Sequence, residues 1–105
     1  MSAGFHNLRD WLRHLAATDR LVAIREGVAL KYELAAIAKR LDGKQATLFP
    51  RPGGHPMPVV SGFISRREWI AEAMGVTQPE LLARFRRAAE QPLPWREVAR
   101  ESAPC

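Results

Sequence analysis

Residues 8–41, LRDWLRHLAATDRLVAIREGVALKYELAAIAKRL, decide the fold because the spacing of their apolar residues changes twice. The first part predicts a helix with Asn7 as its N-cap and with one apolar face formed by Leu8, Trp11, Leu12 and Leu15. Residues 20–26, RLVAIRE, then favour a short strand. A second helix follows and closes at Asp42-Gly43, and its apolar face consists of Leu34, Ala35, Ile37, Ala38 and Leu41.

The next segment predicts two further strands separated by a loop. Residues 46–50, ATLFP, read as a strand that Pro50 ends, and residues 57–64, MPVVSGFI, read as another that is entered through Pro58. Three prolines and two glycines in the intervening RPGGHPMP favour a loop.

Two helices are predicted to complete the domain. SRREWIAEAMG, residues 65–75, has Ser65 and Glu68 at capping-box spacing and Gly75 as a stop signal. TQPELLARFRRAAEQP, residues 77–92, repeats the pattern with Thr77 as its cap. The expected fold is therefore α+β, one small domain ordered helix-strand-helix-strand-strand-helix-helix, followed by an extended C-terminal tail.

We place the domain at residues 7–91 and an extended linker or docking tail at residues 92–105. The predicted core joins the apolar faces of the helices to the strands, and it consists of Trp11, Leu15, Ile37, Phe63, Ile70 and Phe85. The tail carries Pro92 and Pro94, which oppose regular structure. Because a small core cannot enclose every apolar residue, we expect the tail to dock on a neighbour through Trp95, Val98 and Pro104.

Composition limits the classes of protein to consider. The 105 residues are 47% hydrophobic and 26% charged, which argues against disorder. Cys105 is the single cysteine, so a disulfide scaffold is excluded and a cytoplasmic location is expected. The chain has no apolar run of the roughly 18 residues that a membrane span requires. Its N-terminus shows no secretory signal pattern, and we expect no membrane contact.

No catalytic or metal-binding set of residues is evident. His6, His14 and His55 do not share metal-ligand spacing with each other or with the cysteine, and His14 is expected on the polar side of its helix. Ser61 lacks the G-x-S-x-G context of a nucleophile elbow. We therefore predict no catalytic, cofactor-binding or metal residue in this chain.

The net charge of +5 favours anionic partners. Arg66 and Arg67 open a helix, where free N–H groups attract negative charge, so a small anion site is conceivable there, although a solvated surface is the simpler interpretation. Residues 71–87 superficially resemble a helix-turn-helix, but TQPELLA offers little besides Gln78 to read bases. A basic nucleic-acid-binding protein is the weakest of the alternatives.

Taken together, these stretches resemble the N-terminal domain of the UbiD family of prenylated-FMN-dependent decarboxylases. The likeness runs through LRDWLRHLAATDRLVAIREGVALKYELAAIAKRL, then TLFPRPGGHPMPVVSGFISRREWIAEAMGV, then PELLARFRRAAEQPLPWREV, in the order and spacing of that family. It covers residues 8–105, and no single motif within it is decisive.

The resemblance implies reversible non-oxidative decarboxylation of aromatic or α,β-unsaturated acids. It further implies prenylated FMN, a divalent metal and potassium in the assembled family enzyme, all held by sequence outside this chain. We expect a structural or assembly domain, or a small subunit, that is not catalytic by itself and that joins a UbiD-like catalytic polypeptide or domain. A homo-oligomer is open, as is a stand-alone interaction or regulatory module that has lost the chemistry.

Overall fold

The computed structural model describes residues 4–104, which form four helices and a three-stranded sheet. The helices are α1 (Leu8–Ala17), α2 (Glu33–Leu41), α3 (Arg67–Met74) and α4 (Gln78–Glu90). The strands are β1 (Leu21–Ala23), β2 (Ala46–Phe49) and β3 (Val59–Ser61), and two single 3₁₀ turns occupy Pro52–Gly54 and Arg100–Ser102. The predicted α+β class and the predicted order of elements are confirmed.

Local sequence explains where α1 and α3 begin and end. The Asn7 side chain accepts a hydrogen bond from the Asp10 backbone N–H at 2.9 Å, so Asn7 is the predicted N-cap. Gly75 ends α3 with φ 72° and ψ 30°, a left-handed conformation that glycine adopts at little cost. Asn7 thus fixes where α1 begins, and Gly75 fixes where α3 ends.

The N-terminus of α3 differs from the prediction. Arg66, not Ser65, is the N-cap residue of α3. The Glu68 carboxylate forms an ion pair with the Arg66 guanidinium and does not accept the backbone hydrogen bond that a capping box requires. The Ser65 hydroxyl instead donates to the Gly62 carbonyl at 3.0 Å and accepts from the Gly43 N–H at 3.2 Å. Ser65 therefore ties the turn before α3 to the end of α2.

The sheet has the order β1-β2-β3, with β1 parallel and β3 antiparallel to β2. Leu21 pairs with Ala46, and Leu48 pairs with Val60. Since side chains alternate along a strand, Ala46 and Leu48 face one side of β2 while the buried Thr47 and Phe49 face the other. The central strand is therefore buried on both faces, which explains its nearly continuous apolar sequence.

The main core lies between α1, α3 and the sheet. Trp11, Leu15, Ala46 and Trp69 form its buried centre, and the partly buried residues against it are Phe5, Leu12, Leu21, Phe63 and Ala73. The Trp11 indole N–H donates to the Phe63 carbonyl at 2.8 Å, so the ring is packed without leaving its polar atom unpaired. Among the predicted core residues, Ile37 and Ile70 are half-buried, and Phe85 is exposed.

The division at residues 91 and 92 into domain and tail stays a prediction. α4 ends at Glu90, and the chain then runs without helix or strand to the short turn at Arg100–Ser102. None of the helices described is long and apolar enough to cross a membrane. Cys105 lies outside the described residues.

Candidate partner-docking surface

Two hollows open on the surface of the domain. The larger has a volume of about 460 Å³ and is lined by Leu30, Pro52, His55, Pro56, Met57 and Val59. The smaller has a volume of about 300 Å³ and is lined by Leu8, Arg9, Leu12, Leu48, Pro58 and Val60. Each hollow is lined by apolar residues and by one charged or titratable side chain. Residues 4–104 contain no group of three His, Cys, Asp or Glu residues placed to hold a metal. These residues do not fit a flavin nucleotide with a divalent metal, which needs phosphate donors and several oxygen ligands.

One polar cluster does form, and sequence reasoning missed it. Glu72 on α3 accepts hydrogen bonds from Arg20 at 2.6 and 3.1 Å and lies 3.0 Å from the His14 ring nitrogen. His14, which was expected on the polar side of its helix, is half-buried and stacks at a tilt 4.8 Å from Phe5. Fifty-two residues separate Arg20 from Glu72, so no local pattern could have signalled the pair.

This cluster supports the fold and is not arranged for catalysis. The Arg20 guanidinium lies 5.9 Å from the Trp11 ring centre and 5.6 Å from that of Trp69, and it occupies both oxygens of Glu72. The hydrogen bond from Arg20, followed by that from His14, holds the pKa of Glu72 below its usual value against the opposing effect of burial. A permanently charged partner keeps the carboxylate ionised, which suits an ion pair better than proton transfer.

The candidate anion site at Arg66 and Arg67 stays a prediction. The Arg66 guanidinium is paired with Glu68 and also donates to the Gly43 carbonyl at 3.4 Å. A backbone hydrogen bond and the Arg66 side chain hold the pKa of Glu68 below its usual value, so this carboxylate is negative at neutral pH beside the predicted site. The Arg67 side chain is exposed at the first turn of α3.

The predicted tail residues lie fully at the surface. Trp95 is 88% exposed, neighbouring Leu93 is 92% exposed, and Val98 and Pro104 are also exposed. Large apolar side chains are mostly buried in folded proteins, and an exposed tryptophan flanked by leucine indicates a surface that another body covers.

Phe85 shows that the exposed surface begins before the tail. Phe85 was predicted to be core, but it is 52% exposed, and Leu82 is 61% exposed. Leu81 is the one buried residue of α4, which is in contact with α3. Every residue from 82 to 102 is exposed, and we call this segment the arm.

The arm makes the chain less compact than its length allows. The radius of gyration is 16.9 Å, whereas a compact domain of this length has about 13 Å. Five large apolar residues are exposed along the arm: Leu82, Phe85, Leu93, Trp95 and Val98. The arm is thus the best-supported candidate interface in the described part of the chain.

The fold and this surface define the class of the protein. The family model of the 3-octaprenyl-4-hydroxybenzoate carboxy-lyase N-terminal domain (UbiD N-terminal domain) matches residues 12–89, which is more than half of the chain. The chain therefore belongs to this family, and the resemblance inferred from its sequence is confirmed.

Two solved structures and one curated sequence show which proteins are similar to it. An evolved dimeric form of the UbiD-class enzyme HmfF from Pelotomaculum thermopropionicum, in complex with prFMN, is 38% identical with a TM-score of 0.83, over 94% of this chain and 23% of HmfF. HmfF in complex with FMN is also 38% identical, with a TM-score of 0.78, over 86% of this chain and 20% of HmfF. An uncharacterised protein in the cooM 5′ region of Rhodospirillum rubrum is 41% identical over 63% of this chain and 14% of its own length. The chain thus spans less than a quarter of each of these relatives.

Proposed function

We propose that this chain is the assembly domain, or a small subunit, of a UbiD-like decarboxylase and is not catalytic by itself. The single observation that carries the proposal is the exposed tail with Trp95 and Leu93, which needs a covering surface. The tail docks through Trp95, Val98 and Pro104 on a UbiD-like catalytic polypeptide or domain. Membership of the UbiD N-terminal family supports that choice of partner.

The catalytic chemistry belongs to the partner. The assembled enzyme carries out reversible non-oxidative decarboxylation of an aromatic or α,β-unsaturated acid, and we expect it to work in the cytoplasm. Prenylated FMN, a divalent metal and potassium are held by the catalytic polypeptide. The HmfF structures with prFMN and with FMN support a flavin in the assembled enzyme, and the apolar hollows of this chain support its location elsewhere.

A second function rests on the same surface. A stand-alone interaction or regulatory module with this fold would use the arm to bind a protein without decarboxylase activity. The full arm is equally exposed under that interpretation, so the two functions differ only in the identity and cofactor of the bound polypeptide.

Native mass spectrometry of the chain isolated from its own cells tests the proposal. The expected species contains a larger UbiD-class polypeptide with bound flavin, either as a separate chain or as a continuation of this one. A homo-oligomer without flavin, or a free mass near 11.8 kDa, would overturn it. A complex with an unrelated, flavin-free protein would favour the regulatory module.

A further inference from the structure

We propose that α4 is a second docking element, which lies in an apolar groove with an acidic rim on the UbiD-class catalytic polypeptide. The inference rests on the proposed function, since it concerns the same partner. It goes further by assigning a helix-in-groove contact to the helix of Phe85, a residue that sequence alone placed in the core, and by stating the chemistry of the surface that receives this helix.

The exposed face of α4 has the spacing of a docking helix. Leu82, Phe85 and Ala89 recur at intervals of three and four residues and therefore lie along one side of the helix. All three are exposed, and α4 is a 13-residue helix, so it offers more than three turns to a groove. Helices that bind in grooves present anchors at this spacing.

The charges of the arm indicate what surrounds the groove. Arg86 borders the face formed by Leu82, Phe85 and Ala89, whereas Arg84 and Arg87 lie on the opposite side of α4, because successive helical residues are about 100° apart. Among residues 4–104 none of these arginines has a carboxylate within ion-pair distance. The whole arm contains five arginines and three glutamates, so its net charge is positive. An arginine beside apolar anchors complements Asp and Glu on a partner, which favours correct docking and rapid association.

The same charges argue against a second copy of this chain as the occupant. The chain carries a net charge of +5, and positive charge predominates both in the arm and in the rest of the chain. Packing the arm on another copy would bring like charges together, which opposes association. An acidic partner has no such penalty.

The helix and the tail are continuous, so one partner can engage both. Trp95 follows Phe85 by ten residues, and Pro92 and Pro94 restrict the chain between them. A restricted connection reduces the conformational entropy lost when the second contact forms, because the linking chain has fewer conformations available before it binds.

Site-specific photo-crosslinking in the protein's own cells tests the inference. p-Benzoylphenylalanine is placed singly at position 85, at position 95 and, as a control, at position 32, where Tyr32 is exposed on a different part of the chain. Crosslinked peptides are identified by mass spectrometry after protease digestion, so it makes no difference whether the partner is a separate polypeptide. Expected are crosslinks from positions 85 and 95 to a UbiD-class catalytic sequence, with Asp or Glu near the site that position 85 reaches.

The outcomes separate the two proposals. A crosslink from position 95 without one from position 85 would overturn the docking role of α4 and leave the proposed function intact. A crosslink from position 85 to a second copy, or to a peptide without acidic residues nearby, would also overturn it. The absence of crosslinks to a UbiD-class sequence from both positions would overturn both proposals.

A charge-reversal experiment provides a second measurement. The variant Arg86→Glu should lower the crosslink yield from position 85 at least threefold, because it places a negative charge against an acidic rim. Lys31→Glu, a reversal at an exposed position away from the arm, should leave the yield unchanged. An undiminished yield in Arg86→Glu would remove the acidic rim from the proposal, and circular dichroism confirms that each variant is folded.

Discussion

Arg20 and Glu72, 52 residues apart in sequence, form an ion pair with two hydrogen bonds, with Arg20 Nη1 2.6 Å from Glu72 Oε2 and Nη2 3.1 Å from Oε1. The contact joins the residue before β1 to the middle of α3. Because the guanidinium also lies near the rings of Trp11 and Trp69, this pair connects the charged surface to the main core.

Removing the charge of Glu72 should destabilise the domain. We expect Glu72→Gln to lower the free energy of unfolding by about 1–2 kcal/mol, since the pair is partly shielded from water and the hydrogen bonds are charge-assisted. Arg20→Ala should cost more, because it also removes the contacts with both tryptophans. Urea unfolding measures both, and Arg13→Ala, which removes an exposed pair with Asp10, should change stability by less than about 0.5 kcal/mol.

The same carboxylate should make stability depend on acid pH. Its pKa is lowered by folding, so its contribution is fully present above the unfolded value, near 4.5, and is lost as pH falls through the folded value. The stability difference between the wild type and Glu72→Gln should therefore shrink below about pH 4.5. Urea titrations from pH 3 to pH 7 measure it, and a difference that grows on acidification would contradict the assignment.

The same substitution, leucine to alanine, should lower stability much more at a core position on α1 than at an arm position on α4. Leu15 is 0% exposed on α1, so Leu15→Ala should cost about 2–5 kcal/mol through lost burial and the cavity left behind. Leu82→Ala on α4 should cost less than about 0.5 kcal/mol in the isolated chain, since this side chain is largely in water. Equal losses by thermal unfolding would mean that α4 packs on the domain.

The N-cap of α1 should contribute measurably to the free energy of unfolding. Asn7→Ala removes the acceptor for the Asp10 N–H and should cost about 0.5–2 kcal/mol. Asn7→Gly should cost only a few tenths of a kcal/mol, because glycine is a tolerated N-cap residue. A reversed order of the two variants in chemical denaturation would show that another residue caps the helix.

The isolated chain should neither bind flavin nor decarboxylate an aromatic or α,β-unsaturated acid. The physical reason is that the two hollows are apolar and that residues 4–104 provide no metal-ligand cluster. Fluorescence titration with FMN and product analysis with reconstituted prenylated FMN measure the two properties. Saturable flavin binding or turnover above a cofactor-only control would contradict the expectation.

Much of the fold could be predicted because its signals are local. The N-cap at Asn7, the left-handed Gly75 and the helical spacing of Trp11 and Leu15 each depend on residues within a few positions of one another. The capping box at Ser65 failed for a tertiary reason: the hydroxyl is used by Gly62 and Gly43, the latter 22 residues away. A local sequence pattern cannot show that a residue distant in the chain will form a hydrogen bond with the capping side chain instead.

The class of fold, the order of its elements and the family follow from the sequence alone, because each is encoded in periodicity and in the spacing of motifs. Which apolar face is buried and which polar residues meet depend on how elements distant in sequence pack together. Leu81 and Phe85 belong to the same helical pattern, yet Leu81 is buried and Phe85 is exposed to solvent. Periodicity identifies a face that needs to be covered, whereas the packing of distant elements determines whether this chain or a partner covers it.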